Sequence, residues 1–186
     1  MARCYSARMA KRHPAAPRIW LVTDARNDAA LARAITRLPK GSGVIFRHYH
    51  LAEAERRARF AAMAQTARAR RLPTVLAGDA RRARAWGAAG AYGAPHALGP
   101  RTGGLRIAAA HSLRELAAAH RAGADAVLLS PVFATRSHPG APVLGPVRLL
   151  LLAKHARAPV VALGGMTARR ARRLPVHGWA AIDAFG

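Results

Sequence analysis

One feature constrains this chain more than any other: from Ile19 onward, a short apolar run alternates with a longer Ala- and Arg-rich amphipathic stretch. The runs occupy 19–23, 44–47, 74–77, 89–92, 105–109, 126–129, 160–163 and 180–183. Periodicity alone does not separate runs of four or five residues from buried helix, so the flanks must decide. Pro73 and Pro159 stand where strands begin, a place that tolerates a missing N–H. Gly-Ala-Ala at 87–89 and Gly-Ala-Asp at 123–125 read as helix C-terminal turns leading into strands. Helix starts fall where the alternation needs them: Ser112 with Glu115 spells a capping box, and Asp79 and Thr167 are caps for the stretches after them. Strands separated by helices of ~10–15 residues imply right-handed βαβ units and a parallel sheet. Eight units predict a closed (β/α)8 TIM barrel, with a doubly wound open sheet as the runner-up. Gly186 follows the eighth run directly, so the last outer helix is expected to be missing.

At 186 residues the chain is expected to form one domain over 18–186, preceded by a basic flexible leader over 1–17. That leader lacks the ~7–15-residue apolar core of a secretory signal, and an Arg- and Ser-bearing, acid-free leader of this kind also suits a transit peptide. Hydrophobic residues at 52% exclude a chain disordered throughout. The longest apolar stretch, 147–153, is interrupted by Arg148 and falls short of the ~18 residues of a membrane span. A single cysteine, Cys4, excludes a disulfide framework and a Cys-based zinc site, so a cytoplasmic setting is expected.

Charge is the extreme feature. The chain has 31 Lys+Arg against 8 Asp+Glu, a net +23, and only Lys11, Lys40 and Lys154 are lysines. Such a balance suits phosphate-rich partners. Yet the arginines are spread through every helical stretch (Arg56, Arg57, Arg59, Arg68, Arg70, Arg71; Arg169, Arg170, Arg172, Arg173), and aromatics for base stacking are only 5%. The expected reading is solvent faces painted with arginine, with nucleic acid not the main partner and small anions well served.

Barrel active sites lie where strands end at the C-terminal face. That rule selects Asp24, Arg47 to Tyr49, Gly78-Asp79, His111, Ser130 to His138, Gly164-Gly165 and Asp183. Gly164-Gly165-Met166-Thr167 follows the seventh run and opens a helix, a pattern that lets backbone N–H groups approach a phosphate. A bulky residue at Gly165 is therefore expected to remove phosphate affinity and leave the fold intact. The connection 130–145 is long for a compact α/β domain, as lids are. Within it Thr135, Arg136, Ser137 and His138 supply hydroxyl and cationic donors for a phosphoryl group. His48 and His50 fall on one strand face, but two imidazoles without a third partner make a weak metal site. Asp183 reads as a structural carboxylate paired with one of the many arginines.

The stretch Gly123-Ala-Asp-Ala-Val-Leu-Leu-Ser-Pro-Val-Phe-Ala-Thr-Arg-Ser-His-Pro-Gly, with the later Pro159-Val-Val-Ala-Leu-Gly-Gly-Met, resembles the thiamine phosphate synthase/TenI family. Trp20-Leu-Val-Thr-Asp24, Arg47 and His111-Ser112 support it, and the resemblance spans 19–186. It implies a (β/α)8 barrel of thiamin biosynthesis acting on a small phosphorylated substrate. Synthases of the family join an aminopyrimidine pyrophosphate to a thiazole phosphate, using magnesium, with loss of pyrophosphate. TenI-type relatives tautomerise the thiazole precursor and need no metal, and His111 matches their general acid/base.

Several positions depart from the family pattern. The Asn-Asp expected after the third run is Ala77-Gly78, with Asp79 one place late. After the fourth run stands Tyr92-Gly-Ala-Pro-His96, without the expected acidic ligand. The Gln and Lys around Arg47 become Ile45 and Tyr49, the lysine closing the loop motif becomes His138, and a serine after the eighth run becomes Asp183. A hard cation wants carboxylate oxygens, and only Asp24 and Asp79 remain to supply them. Arg47 and Arg136 are placed to take part of a metal's role. The TenI-like branch, without magnesium, is therefore favoured. A working synthase with a rebuilt magnesium or arginine site stays open, as do a non-catalytic phosphate binder and a basic nucleic-acid-associated barrel. A homo-oligomer through the bare barrel end is also an expectation.

Overall fold

A computed structural model describes residues 16–137 and 140–185. Eight parallel strands close on themselves in chain order: β1 (Ile19–Val22), β2 (Gly43–Phe46), β3 (Thr74–Ala77), β4 (Gly90–Gly93), β5 (Leu105–Ala110), β6 (Ala126–Leu129), β7 (Val160–Leu163) and β8 (Gly178–Ala181). Closure is made by β1 pairing with β8, Ile19 opposite Trp179 and Leu21 opposite Ala181. The closed barrel is the one expected, and the open sheet is ruled out. The leader lies outside the described residues except for Ala16 and Pro17.

Strand alternation sorts the apolar residues into two cores. Trp20, Val22, Ile45, Val75, Tyr92, Ile107, Leu128, Val161 and Ala180 fill the barrel interior. Leu21, Val44, Phe46, Leu76, Ala108, Leu129 and Ala162 point outward against the helices. The fully buried Trp20 ring is accommodated by Gly43 on the neighbouring strand, where a Cβ would come within 2.4 Å of it.

The outer layer is slighter than the sequence predicts. Helices α1 (Leu31–Arg37), α2 (Glu53–Ala69), α3 (Ala80–Ala85), α4 (Leu113–Arg121), α5 (Gly145–Lys154) and α6 (Ala168–Ala171) follow β1, β2, β3, β5, β6 and β7. After β4 there is only a 3-10 turn, Pro95–Leu98, because Pro95, Gly99, Pro100, Gly103 and Gly104 leave no stretch for a helix. Among the described residues no helix follows β8; Phe185 stacks on Trp179 at 5.2 Å. The eighth strand lies two residues earlier than the expected 180–183: β8 starts at Gly178 and ends before Ile182 and Asp183.

The expected caps form. Asp79 accepts the N–H groups of Arg81 and Arg82, and Thr167 accepts that of Arg170. Ser112 accepts the N–H of Glu115. The Glu115 carboxylate reaches back one residue further than a capping box requires, to the N–H of His111 at 2.6 Å. The turns after α3 and α4 close as Schellman motifs, Ala88 N–H to Ala83 O and Ala124 N–H to Ala119 O.

Two arginines overturn the expectation of purely solvent-facing cations. Arg56 on α2 is buried among the rings of Phe46, Tyr49 and Trp86, donating to Arg47 O and Ala77 O. Arg106 on β5 is buried as well, donating to Gly99 O and Ala122 O. Both tie loops to the barrel by satisfying carbonyls that would otherwise be orphaned.

Candidate active site

Where the strands end, their connections surround an open cavity of about 590 Å³. Its floor is set by β4, β5, β7 and β8 through Tyr92, Ala109, Leu163 and Ala181. Its walls bring together Arg47, His111, Thr135, Arg136, Ser137, Gly164 and Gly165, seven of the positions expected from sequence. His138 lies outside the described residues.

His111 stands after β5, and its ring is steered by a backbone carbonyl. Nδ1 lies 2.5 Å from Ser130 O. A carbonyl only accepts, so Nδ1 carries the proton and the neutral ring keeps its Nε2 lone pair for exchange. Glu115 fixes the same residue through its backbone N–H.

The Gly-Gly turn is forced by its neighbours. Gly164 and Gly165 have φ of +98° and +58°. A Cβ on Gly164 would meet Pro131 Cα at 2.7 Å, and one on Gly165 would meet Ala134 O at 2.5 Å. Val132 N–H and Phe133 N–H bond to Leu163 O and Gly164 O, so the turn and the loop after β6 are one packed unit. A bulky residue at Gly165 would therefore displace that loop, which corrects the expectation of an intact fold. Among the described residues, the N–H groups of Gly165 and Met166 have no backbone acceptor. Helix α6 behind them is a single turn, so its dipole adds little and the donors themselves carry the anion chemistry.

Arg47 is held from three sides. Its N–H donates to Thr23 Oγ1 at 3.0 Å, its carbonyl accepts from Arg56, and its guanidinium lies 5.6 Å from the Tyr49 ring centre. Behind it a chain runs from the buried Thr23 Oγ1 to His48 Nδ1, and from His48 Nε2 to the half-buried Asp28 Oδ1, each contact 2.7 Å, and ends on Arg59. His48 is fully buried, has φ of +34° and stacks on Phe46 at 4.5 Å. Burial holds its pKa below the ordinary 6.5 against the raising effect of Asp28. Asp28 would be pushed up by its partial burial, but the bonds from His48 and Arg59 outweigh this and hold it below the ordinary carboxylate value. His48 and His50 lie beyond β2 in the loop rather than on a strand face, and both His48 nitrogens are already used.

Neither Asp24 nor Asp79 lines the cavity. Asp24 caps the 3-10 turn Ala25–Asn27 and pairs with Arg26, while Asp79 caps α3. Asp183 does line it, and pairs with Arg136 at 3.0 Å and Arg26 at 3.5 Å. Arg26, whose Nη2 also donates to Ser137 Oγ at 2.7 Å, was not singled out from sequence. Nor was Arg170, which donates to Gly165 O and lies 4.4 Å from the Phe133 ring centre. Tyr92 is the third omission; burial pushes its phenol up to about 12, so it stays protonated on the cavity floor.

A magnesium ion wants several hard oxygen ligands. Among the described residues no three His, Cys, Asp or Glu side chains converge, and Asp183 is the cavity's single carboxylate, already shared by two guanidiniums. An ion seated on Asp183 would have to compete with both guanidiniums for that carboxylate. No described helix is long and apolar enough to cross a membrane.

Comparison with known proteins agrees with this architecture. The family described as thiamine monophosphate synthase, TMP-TENI, matches residues 19–185. A curated relative, "Putative thiamine-phosphate synthase 2" of Aquifex aeolicus (strain VF5), is 45% identical over 58 residues. That match spans 31% of each chain, so this chain covers about a third of the relative's length. A solved thiamine phosphate pyrophosphorylase from Pyrococcus furiosus superposes with a TM-score of 0.76 at 23% identity, covering 90% of this chain and 86% of that one. FabK from Thermotoga maritima gives 0.71 at 18% identity, covering 91% and 59%. At these identities the two structures speak for the fold alone.

Proposed function

The chain belongs to the thiamine monophosphate synthase (TMP-TENI) family, and from that premise we propose that it binds a thiazole phosphate at the C-terminal face of the barrel and moves a proton on it, in the manner of the TenI-like branch. One observation supports the reading: His111, with Nδ1 committed to Ser130 O, lines the same cavity as the Gly164-Gly165 turn. The phosphoryl group would take the Gly165 and Met166 N–H groups, with Thr135, Arg136 and Ser137 closing over it. His111 Nε2 would accept a proton from one ring position and return it to another, leaving no net charge change and requiring no cofactor. The failure of Asp24 and Asp79 to reach the cavity supports this branch over a magnesium-dependent one.

The test is calorimetric titration with thiazole phosphate, followed by deuterium uptake into the bound heterocycle. Binding is expected, with exchange slowed about 10²-fold or more in His111→Asn and unchanged by EDTA. Exchange equal in His111→Asn and the unsubstituted protein would remove the assignment. A second reading, a synthase, is favoured by Arg47 and Arg136 flanking the cavity, where they could hold a leaving pyrophosphate. Thiamin phosphate formed from aminopyrimidine pyrophosphate, thiazole phosphate and magnesium, followed by mass spectrometry, would establish it.

A further inference from the structure

The phosphate-binding side of this cavity already contains an anion belonging to the protein. A single oxygen, Asp183 Oδ2, holds Arg136 Nη2 at 3.0 Å and Arg26 Nη1 at 3.5 Å. Those guanidiniums come from different connections, Arg26 after β1 and Arg136 after β6, and Asp183 itself follows β8. Arg26 is drawn further into the cluster by Ser137 Oγ at 2.7 Å and by Asp24 at 3.3 Å. The two guanidiniums and two carboxylates of this cluster cancel in formal charge, on a chain of +23, while Arg170 stands apart on the Gly165 carbonyl. Within the cluster, Asp183 and Asp24 supply that cancellation.

We infer that Asp183 is a competing internal anion: it holds Arg26 and Arg136, and a phosphoryl ligand gains them only by exchange. Asp183 therefore sets which ligands the seat accepts. The inference deepens the proposed phosphate seat and rests on it. Exchange is feasible because all three side chains keep solvent access, Arg136 being 76% exposed, and exposed ion pairs are weakly held. A phosphomonoester carries about 1.5 to 2 negative charges and three acceptor oxygens, against the single carboxylate oxygen that the two guanidiniums share here. With Asp183 present, a dianion approaching the turn gains the arginines but meets a carboxylate. Weakly anionic ligands meet less of that opposition, so Asp183 narrows the affinity gap between a phosphate ester and its free alcohol.

The experiment titrates inorganic pyrophosphate into the unsubstituted protein and into Asp183→Asn, with thermal melts to verify folding. The variant is expected to bind about tenfold tighter, the gain shrinking as salt is raised and disappearing in the Asp183→Asn, Arg136→Gln double variant. Equal or weaker pyrophosphate binding by Asp183→Asn overturns the inference, and Asp183→Ser gives the same decision if the first variant does not fold. Thiazole phosphate titrated into the unsubstituted protein reports separately: no binding there removes the proposed function, whatever Asp183→Asn does.

Discussion

The two sides of the cavity mouth are built from the same chemistry and behave in opposite ways. Behind β1 and β2, Thr23, His48, Asp28 and Arg59 form a chain with a fully buried imidazole at its centre, and beside it the buried Arg56 donates to Arg47 O and Ala77 O. Across the mouth, Arg26, Arg136, Asp183 and Ser137 make a similar number of contacts in the open. Burial makes the difference. A desolvated polar group deprived of its partner carries the full penalty, whereas an exposed one falls back on water. One side is thus scaffold for Arg47, and the other is free to rearrange around a ligand.

Breaking the scaffold side should give the largest effect. Arg56→Met keeps the aliphatic volume but leaves Arg47 O and Ala77 O without a donor, with an expected loss of about 3 kcal/mol in urea unfolding. A loss below ~1 kcal/mol would make the two sides alike.

The pH dependence sharpens the contrast. Burial lowers the His48 pKa below 6.5 in the folded state, so the unfolded chain binds the proton first as pH falls. The stabilisation from neutral His48 is complete above 6.5 and is lost progressively as pH drops from 6.5 toward the lower folded value. Urea midpoints should decline over that window in the unsubstituted protein. In His48→Gln, less stable at every pH, they should change less between pH 7 and 5.5. Parallel profiles would remove His48 as the cause.

The smallest effect belongs to the exposed side: Asp183→Asn should change unfolding free energy by less than about 0.5 kcal/mol. A larger loss would mean that the open cluster is scaffold too.

Legibility in the sequence followed contrast. The strands stood out because Val, Ile and Leu runs are bracketed by Pro and Gly, and Asp79, Ser112 and Thr167 were identifiable as caps from their neighbours alone. Gly164-Gly165 was conspicuous for the same reason. Arg26, Arg56 and Arg170 were not, because one arginine among 28 gives no local signal of burial or of facing a cavity. Their roles depend on which carbonyl or carboxylate the fold brings near. Tyr92 was seen as a departure from a family pattern but not as the cavity floor, a role that requires the strand register. That α1, α3 and α6 would be so short is not legible, because amphipathic Ala/Arg stretches look helical along their entire length.

The β1–β8 seam has a consequence in time. His177 Nε2 contacts Ala16 O across 161 residues, and Trp179 N–H reaches Arg18 O beside it. Pairings this distant in sequence pay their loop-closure entropy late and slow the search for the native state. During synthesis, β1 can pair with β2 on one side, but its other edge must wait until β8 has left the ribosome, and until then that edge is open to pairing with another chain.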